Sequence, residues 1–312
     1  MNNEIISVVV LSYNAEKTIL ETLNSILEQS YGSKNIDLIV SDDGSKDSTE
    51  SIVSSWVNAY GDNFYSVTLL FSNENKGVSH NCNKGWKSSS AKWIKTIAAD
   101  DILLVDCLLD NKKFTNENDI DCLFSYMKCF SDCGTVDKIL PSNDYIDFFS
   151  LSAREQFETL CIESFNFAPT SFLKKEVLED IGYCDEQYKL IEDLPLWLKI
   201  TKKGYKLSFF ENVTVGYRIG NSLSNSTDRL VNLNFIQQIE TLHQTMIWPN
   251  FPLRKKWRVL DKKIDFFSWR LTAKLFNNKR NKLSLSFRYF ILLFRPSSYI
   301  VILRKFKRKK VV

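Results

Sequence analysis

The first two hundred residues alternate between short apolar runs and stretches with apolar residues three or four positions apart. The runs predict buried strands, and the three-to-four spacing predicts amphipathic helices. The predicted strands are Ile5–Ser12, Ile36–Val40, Val67–Ser72, Trp93–Ala98, Cys122–Phe130, Tyr205–Phe210 and Val213–Tyr217. The predicted helices are Ala15–Gln29 with Asn14 as its cap, Ser48–Tyr60, Val78–Ser88, Lys174–Ile181 and Leu194–Lys203. This alternation implies an α/β fold around a mostly parallel sheet with right-handed crossovers.

Beyond Leu253 the pattern changes to a basic amphipathic stretch. Steps of three or four place six apolar residues on one predicted helical face: Trp257, Leu260, Ile264, Phe267, Leu271 and Leu275. A second apolar stretch, Phe287–Phe294, follows. The last 62 residues hold 19 Lys and Arg but only two Asp, whereas the preceding 250 hold 22 basic and 35 acidic side chains. We therefore predict a domain at 1–225 and a helical, basic extension at 226–312.

Dense cations with large aromatics are typical of a helix lying in a membrane interface, where we expect Trp257, Phe267, Trp269 and the Phe287–Phe294 stretch to be buried. No apolar run approaches the ~20 residues that span a bilayer. The alternative is a helical cap packed on the first domain with a solvated basic face. Nucleic-acid binding is disfavoured because the aromatics share a helical face instead of a sheet platform. We expect a cytoplasmic protein, peripheral on the inner face of the membrane, since the start lacks a signal-peptide pattern.

Seven scattered cysteines without a Cys-x-x-Cys pair, and two histidines, argue against a thiolate or imidazole metal site. Paired acids instead recur where predicted strands end or a helix begins. They are Asp42-Asp43 followed by Gly44, Asp100-Asp101, and Glu192-Asp193. Carboxylates at the carboxyl edge of a sheet suit Mg²⁺ or Mn²⁺ carrying phosphate oxygens, and a further carboxylate can act as a general base. Helix capping is the alternative for each pair.

With these pieces in order, the sequence resembles glycosyltransferase family 2, which has the GT-A nucleotide-sugar-binding fold. The matching pieces are Ser7–Asn14, Asp37–Thr49, Asn75–Ser79, Asp100-Asp101, Glu192–Lys199, Gly204, Tyr217-Arg218 and Ser222–Ser224. The resemblance implies an inverting transferase that uses a nucleotide-diphospho-sugar and Mn²⁺ or Mg²⁺. Two positions depart from the pattern: Ala98 stands where an Asp often begins an Asp-x-Asp triplet, and Cys82 where an Arg often precedes Asn.

The resemblance also implies a role for each matching residue. Tyr13 would stack on the nucleobase, and Asp42 would accept a hydrogen bond from it; core packing is the alternative for Tyr13. The same nucleotide-sugar site would include Asn14, Asp43, Gly44, Asn75, Gly77 and Asp100. Asp100 and Asp101 would hold the metal, and Asp193 would be the catalytic base with Glu192 supporting it. Arg218 would bind diphosphate oxygens, unless it forms a surface salt bridge.

Three functions remain open on these grounds. The leading hypothesis is transfer of a hexose or N-acetylhexosamine, from a UDP-sugar, to a lipid-diphosphate-linked acceptor in surface polysaccharide synthesis such as O-antigen or capsule. The second is a sugar nucleotidyltransferase, which would need a Gly-rich phosphate loop where this chain has Asn14-Ala15-Glu16-Lys17. The third is a catalytically degenerate scaffold or carbohydrate-binding protein, against which the three acidic pairs argue.

Overall fold

The computed structural model describes residues 4–132, 134–163, 167–219, 229–251 and 256–299 of the 312-residue chain. The chain divides into two compact units, Met1–Gly220 and Asn221–Val312. The boundary predicted between residues 225 and 226 lies outside the described residues and stays a prediction. The Ser222–Ser224 piece and the basic cluster at 304–310 also lie outside them.

The first unit is built on one nine-stranded sheet. Its strands are β1 (Ile6–Ser12), β2 (Ile36–Asp42), β3 (Ser66–Phe71), β4 (Trp93–Ala98), β5 (Ile102–Leu103), β6 (Cys122–Ser131), β7 (Gly134–Leu140), β8 (Phe172–Lys174) and β9 (Leu207–Arg218). Their order is β3-β2-β1-β4-β8-β6-β9-β5, with β7 beside β6. The first four are parallel, whereas β8 runs antiparallel to both β4 and β6. The predicted α/β class is confirmed, with a mixed second half of the sheet.

Helices connect these strands. They are α1 (Ile19–Leu27), α2 (Thr49–Tyr60), α3 (Val78–Ser88), α4 (Cys107–Glu117), α5 (Asp147–Ser150), α6 (Ala153–Leu160), α7 (Lys175–Asp180) and α8 (Asp193–Lys203). The predicted cap of the first helix was wrong, because α1 begins at Ile19 and the Asn14 side chain bonds to another loop. The two strands predicted after α8 form one strand, β9, whose pairing with β6 skips Glu211 and Asn212.

The core of the first unit forms where apolar residues of the parallel strands meet the helices. β1 and β2 are buried on both faces, as their continuous apolar runs predict. In α1 the buried apolar residues are Ile19, Leu23 and Ile26, at the three-to-four spacing of one helical face. The six cysteines among the described residues are all buried and free. Packing in this core therefore holds β2 and β4, the strands that end at or shortly before the Asp42-Asp43 and Asp100-Asp101 pairs.

The second unit contains α9 (Leu233–Leu242), α10 (Trp257–Leu275) and α11 (Lys282–Leu292). Arg270 of α10 pairs with Glu240 of α9, and Arg288 of α11 pairs with Asp265 of α10. The predicted apolar face of α10 is not its buried side. The buried residues of α10 are Phe266, Ser268, Thr272 and Ala273, whereas Leu260, Phe267 and Leu275 are exposed. Among the described helices, none is both long enough and apolar enough to cross a bilayer.

Candidate active site

The first two acidic pairs lie at one edge of the sheet. β1 runs between β2 and β4, with Ser12 opposite Asp42 and Leu11 opposite Ala98. The chain therefore leaves β2 and β4 on the same side of the molecule. That carboxyl edge is where open α/β sheets bind ligands. The parallel register thus brings together two pairs that are nearly sixty residues apart in the sequence.

The Asp42 carboxyl is held by the end of β1 and by the loop that follows β2. Its Oδ2 accepts hydrogen bonds from the hydroxyls of Ser12 at 2.8 Å and Ser45 at 2.6 Å. Its Oδ1 accepts the backbone N–H of Ser45 at 2.7 Å. A carboxylate has about four acceptor positions, so three are already used inside the protein. The bond from Asp42 to a nucleobase stays a prediction and would have to use the remaining position.

Asp43 joins this loop to the segment that precedes α3. Its carboxyl accepts the backbone N–H groups of Lys76 at 2.9 Å and Gly77 at 2.8 Å. Gly77 has φ +100°, and a Cβ there would lie 2.5 Å from the carbonyl oxygen of Lys189. The site needs glycine at this position for both reasons. Asp43 and Gly77 therefore set the geometry of the loop.

Gly44 has a comparable role on the other side of this contact. Its φ is +76°, and a Cβ would lie 2.6 Å from the carbonyl carbon of Glu74. The loop after β2 and the loop before α3 therefore touch through their backbones. Glycine at position 44 keeps that contact possible, and its part in a nucleotide-sugar site stays a prediction.

Tyr13 and two asparagines lie close to these loops in the sequence. Tyr13 directly follows β1 and is 42% exposed, so its ring is open to a stacking partner. The Asn14 backbone N–H donates to the Ser45 hydroxyl, and its side-chain oxygen accepts the Lys46 N–H, both at 2.8 Å. Asn14 thus ties two loops together. Asn75 is exposed. Tyr13 is the member of this group best placed for a ligand.

The second acidic pair has one exposed and one buried member. Asp100 is exposed, whereas Asp101 is 2% exposed and accepts the backbone N–H of Arg218 at 2.8 Å. Burial, with the neighbouring Asp100 charge, raises the pKa of Asp101 to about 8. Asp100 is the more accessible carboxylate of the pair, although partial burial raises its pKa too, and Asp101 anchors the end of β9.

The Arg218 guanidinium is occupied by protein groups. Its Nε donates to the Asp100 carbonyl oxygen at 2.8 Å, and its terminal nitrogens pair with Glu21 and Asp132. The guanidinium carbon also lies 4.5 Å from the Phe130 ring centroid. These three bonds use three of the five N–H donors of the guanidinium. The diphosphate contact stays a prediction, and a phosphate oxygen would compete with Glu21 and Asp132 for this cation.

The third pair lies at the start of α8, where Glu192 precedes the helix and Asp193 is its first residue. Asp193 Oδ1 accepts the Leu194 N–H at 2.6 Å. Burial raises the pKa of both carboxyls, and the neighbouring Asp193 charge raises that of Glu192 further. The pair therefore shares a desolvated position in which one carboxyl takes up a proton more readily than it would in water.

A pocket of about 90 Å³ joins the third pair to the end of β4. Its lining residues include Glu192, Asp193, Trp86, Pro169, Ala98 and Cys82. The last two are the positions at which the sequence departs from the pattern it resembles. Longer side chains, Asp at 98 or Arg at 82, would fill part of this space. The structure thus brings the predicted base and the end of β4 to one cavity.

Lys95 is a residue of this site that the sequence analysis missed. It lies in β4, is fully buried, and its Nζ donates to the carbonyl oxygens of Pro169 at 2.7 Å and Ser171 at 3.3 Å. Burial lowers the pKa of Lys95 to about 8. Both carbonyl-bearing residues line the pocket, so Lys95 holds one wall in place. A single lysine inside the apolar run Trp93–Ala98 was the signal that could have revealed it.

The described ranges contain no cluster of three or more His, Cys, Asp or Glu side chains placed to bind a metal ion. Asp100 and Asp101 supply two carboxyls, of which one is exposed and the other has an oxygen engaged by a backbone N–H. Mg²⁺ often binds proteins through one or two carboxylates together with substrate phosphates. The pair therefore fits a cation that also binds a diphosphate, and does not form a complete protein cage.

Comparison with known proteins assigns the chain to a family. The family model described as Glycosyl transferase family 2 matches residues 7–182, more than half of the chain. An uncharacterized glycosyltransferase of Rickettsia typhi is 26% identical over 244 residues, covering 76% of this chain and 70% of that protein. The minor teichoic acid biosynthesis protein GgaB of Bacillus subtilis is 26% identical over 215 residues, covering 68% of this chain but only 23% of GgaB.

Two solved structures have a similar fold. S. aureus TarS 1-349 in complex with UDP-GlcNAc has a TM-score of 0.58 at 18% identity, covering 86% of this chain and 83% of that one. The mannosyltransferase PcManGT of Pyrobaculum calidifontis, in complex with GDP-Man and Mn²⁺, has a TM-score of 0.52 at 18% identity. That alignment covers 95% of this chain and 72% of the mannosyltransferase. At these identities the likeness concerns the fold.

Proposed function

The chain belongs to glycosyl transferase family 2, and we propose that it is an inverting transferase that moves a hexose or N-acetylhexosamine from a UDP-sugar to a hydroxyl of a lipid-linked saccharide. The observation that carries this proposal is the Glu192–Asp193 pair, desolvated at a pocket that also reaches the end of β4. Donors related to the proposed one occur in the similar structures, which contain UDP-GlcNAc and GDP-Man. The similarity to GgaB supports a polymer of the cell surface as the product.

Asp193 is the base in this proposal, and Glu192 supports it. An inverting transfer needs one carboxylate that accepts the proton of the acceptor hydroxyl as its oxygen attacks the sugar. Burial raises the pKa of both carboxyls, so the pair as a whole takes up a proton more readily than two separate acids in water would. The Leu194 N–H that donates to Asp193 stabilises the charged form of Asp193 and orients its carboxyl. We assign the base to Asp193 on this hydrogen bond.

The donor would bind along the carboxyl edge of the sheet. Tyr13 is exposed enough to stack on a nucleobase. The backbone geometry set by Asp43, Gly44 and Gly77 shapes the adjoining loops, and Asn14 supports them. Asp100 and Asp101 would hold Mn²⁺ or Mg²⁺, which when bound neutralises charge on the departing nucleoside diphosphate. In the donor complex, Arg218 would exchange Glu21 or Asp132 for a phosphate oxygen.

The lipid-linked acceptor implies a location at a membrane. We propose that the protein is cytoplasmic and peripheral on the inner face of the cell membrane, with its basic second unit facing anionic lipid. The excess of 19 basic over two acidic side chains in the last 62 residues supports this location. We do not propose nucleic acid as a partner of the basic unit.

The decisive experiment is the Asp193→Asn variant, which keeps the size of the side chain but removes its capacity to accept a proton. We expect kcat to fall by about 10²–10⁴ while donor affinity stays similar. The assay is release of UDP from a panel of UDP-hexoses and UDP-N-acetylhexosamines, with donor affinity measured by calorimetry. Asp185→Asn, a half-buried acid in the preceding loop whose carboxyl accepts hydrogen bonds from Gln187, is the control and should retain full activity. Asp193→Asn activity within a few-fold of wild type would assign the base elsewhere, with Glu192 examined next.

A further inference from the structure

The second unit exposes an apolar face along α11. Leu283 is 73% exposed, and Tyr289, Phe290, Leu293 and Phe294 are each between 57% and 64% exposed. Leu283, Tyr289 and Phe290 lie within α11, and Leu293 and Phe294 lie in the turn directly after it. The spacing of seven between residues 283 and 290, and of four from 289 to 293 and from 290 to 294, brings the five side chains to one side. A contiguous group of exposed aromatic and aliphatic side chains of this kind marks an interaction site.

The opposite side of α11 is already occupied within the unit. Ser284 and Leu292 are buried, and the Phe287 ring lies 5.6 Å from that of Phe276. Arg288 pairs with Asp265 at 2.7 Å and its guanidinium lies 3.6 Å from the Trp269 ring centroid. These contacts fix the rotation of α11. The apolar residues of the other side are therefore held outward by the packing.

Charge around this face selects an anionic partner. Lys279, Arg280 and Lys282 are all exposed and directly precede the apolar residues of α11. The acids among the described residues of this unit are engaged: Glu240 pairs with Arg270, Asp265 pairs with Arg288, and Asp261 accepts the Ser297 N–H at 3.0 Å. Among the described residues, none of these three acids forms an ion pair with Lys279, Arg280 or Lys282. The local excess of positive charge is complementary to lipid phosphate.

We propose that the exposed face of α11 inserts into the headgroup boundary of an anionic bilayer, with Lys279, Arg280 and Lys282 contacting lipid phosphates. The helix is 11 residues long, shorter than the ~20 residues that span a bilayer, and its exposed apolar residues next to cations are typical of a helix lying in the interface. This inference deepens the proposed peripheral location and rests on it. The sequence-based expectation included aromatics of α10 as well as the Phe287–Phe294 stretch. We assign the contact to α11 and the turn after it because they expose five large apolar side chains, whereas α10 exposes three, Leu260, Phe267 and Leu275, and its Trp269 lies against Arg288.

The test is co-sedimentation of the full chain with vesicles of an equimolar phosphatidylglycerol and phosphatidylcholine mixture, and with vesicles of phosphatidylcholine alone. We expect the double variant Phe290→Ser/Phe294→Ser to bind the anionic vesicles at least about 10-fold more weakly than wild type. Tyr65→Ser, an equally exposed aromatic of the first unit, and Phe267→Ser, on α10, are matched controls and should bind as wild type. The charge variant Lys279→Glu/Arg280→Glu/Lys282→Glu should lose preference for the anionic vesicles.

Several outcomes would overturn the proposal. Loss of binding in Phe267→Ser, with the α11 variant unaffected, would assign the contact to α10. Complete release by roughly 1 M salt would show a purely electrostatic contact without insertion. A wild-type oligomer that becomes a monomer in the α11 variant, without vesicle binding by either, would make the face an interface between copies. UDP release measured on the same samples separates these results from failure of the proposed catalytic function, because that assay needs no vesicle.

Discussion

Replacement of Gly77 by Ala tests the loop contact on which the proposed donor site depends. Gly77 has φ +100°, and an added Cβ would lie 2.5 Å from the Lys189 carbonyl oxygen and 2.7 Å from Lys189 Cβ. The backbone cannot easily move away, because the Gly77 N–H donates to Asp43 and the Val78 N–H donates to that same carbonyl at 2.9 Å. The substitution therefore combines an unfavourable backbone conformation with a steric overlap.

The expected magnitude follows from these two causes. A residue with a Cβ in the left-handed region costs about 1–2 kcal/mol, and overpacking a close contact typically costs about 1–3 kcal/mol more. We expect Gly77→Ala to lower the free energy of unfolding by about 2–5 kcal/mol. Gly204 is a matched control, because its φ is +109° and a Cβ there would meet no atom within 4 Å. Gly204→Ala should cost only the conformational part, about 1–2 kcal/mol.

The assay is urea unfolding of both variants and wild type, followed by tryptophan fluorescence. A loss for Gly77→Ala that exceeds the loss for Gly204→Ala by at least about 1 kcal/mol is the expected result. Equal losses in the two variants would refute the steric part of the reasoning and show that the Lys189 segment adjusts without cost. Calorimetric titration with a UDP-sugar on the same samples would show whether the contact also matters for the donor.

Two further predictions concern the metal and the pH. Asp100→Ala and Asp101→Ala each remove one carboxylate of the proposed metal site and should abolish UDP release that depends on Mn²⁺ or Mg²⁺. The far-UV CD spectrum should stay unchanged in both variants. Full turnover of the wild type in excess chelator would contradict the metal requirement. Burial lowers the pKa of His243 in the folded protein to about 4. In the unfolded chain this histidine takes up its proton near pH ~6.5. The second unit should therefore lose stability as the pH falls from about 6.5 to 4, because only the unfolded chain is protonated at His243 in that range. Thermal unfolding of His243→Phe should lack most of this acid-induced loss, and an identical pH dependence in the variant would assign the effect to other groups.

The local sequence was sufficient to predict the strands and helices in the first half of the fold. The apolar runs and the three-to-four spacing predicted β1 to β4 and the helices between them, because each of these signals depends on neighbouring residues. The insertion of β8 between β4 and β6 was not predicted. β8 is a three-residue strand, and its partners lie 49 or more residues earlier in the chain, so no periodic pattern marks its position.

In the candidate site, too, some features were predicted from local sequence and others were decided by tertiary packing. The acidic pairs, Gly44 and Gly77 were identified from residue types and order, since carboxylates at strand ends and glycines in tight loops leave a local signal. Only the tertiary structure placed the Glu192–Asp193 pair beside Ala98 and buried Lys95 behind the pocket wall. It also gave Arg218 its partners Glu21 and Asp132. Desolvation and ion pairing arise between segments that are distant in the chain, so they are decided by packing, which local sequence patterns do not specify.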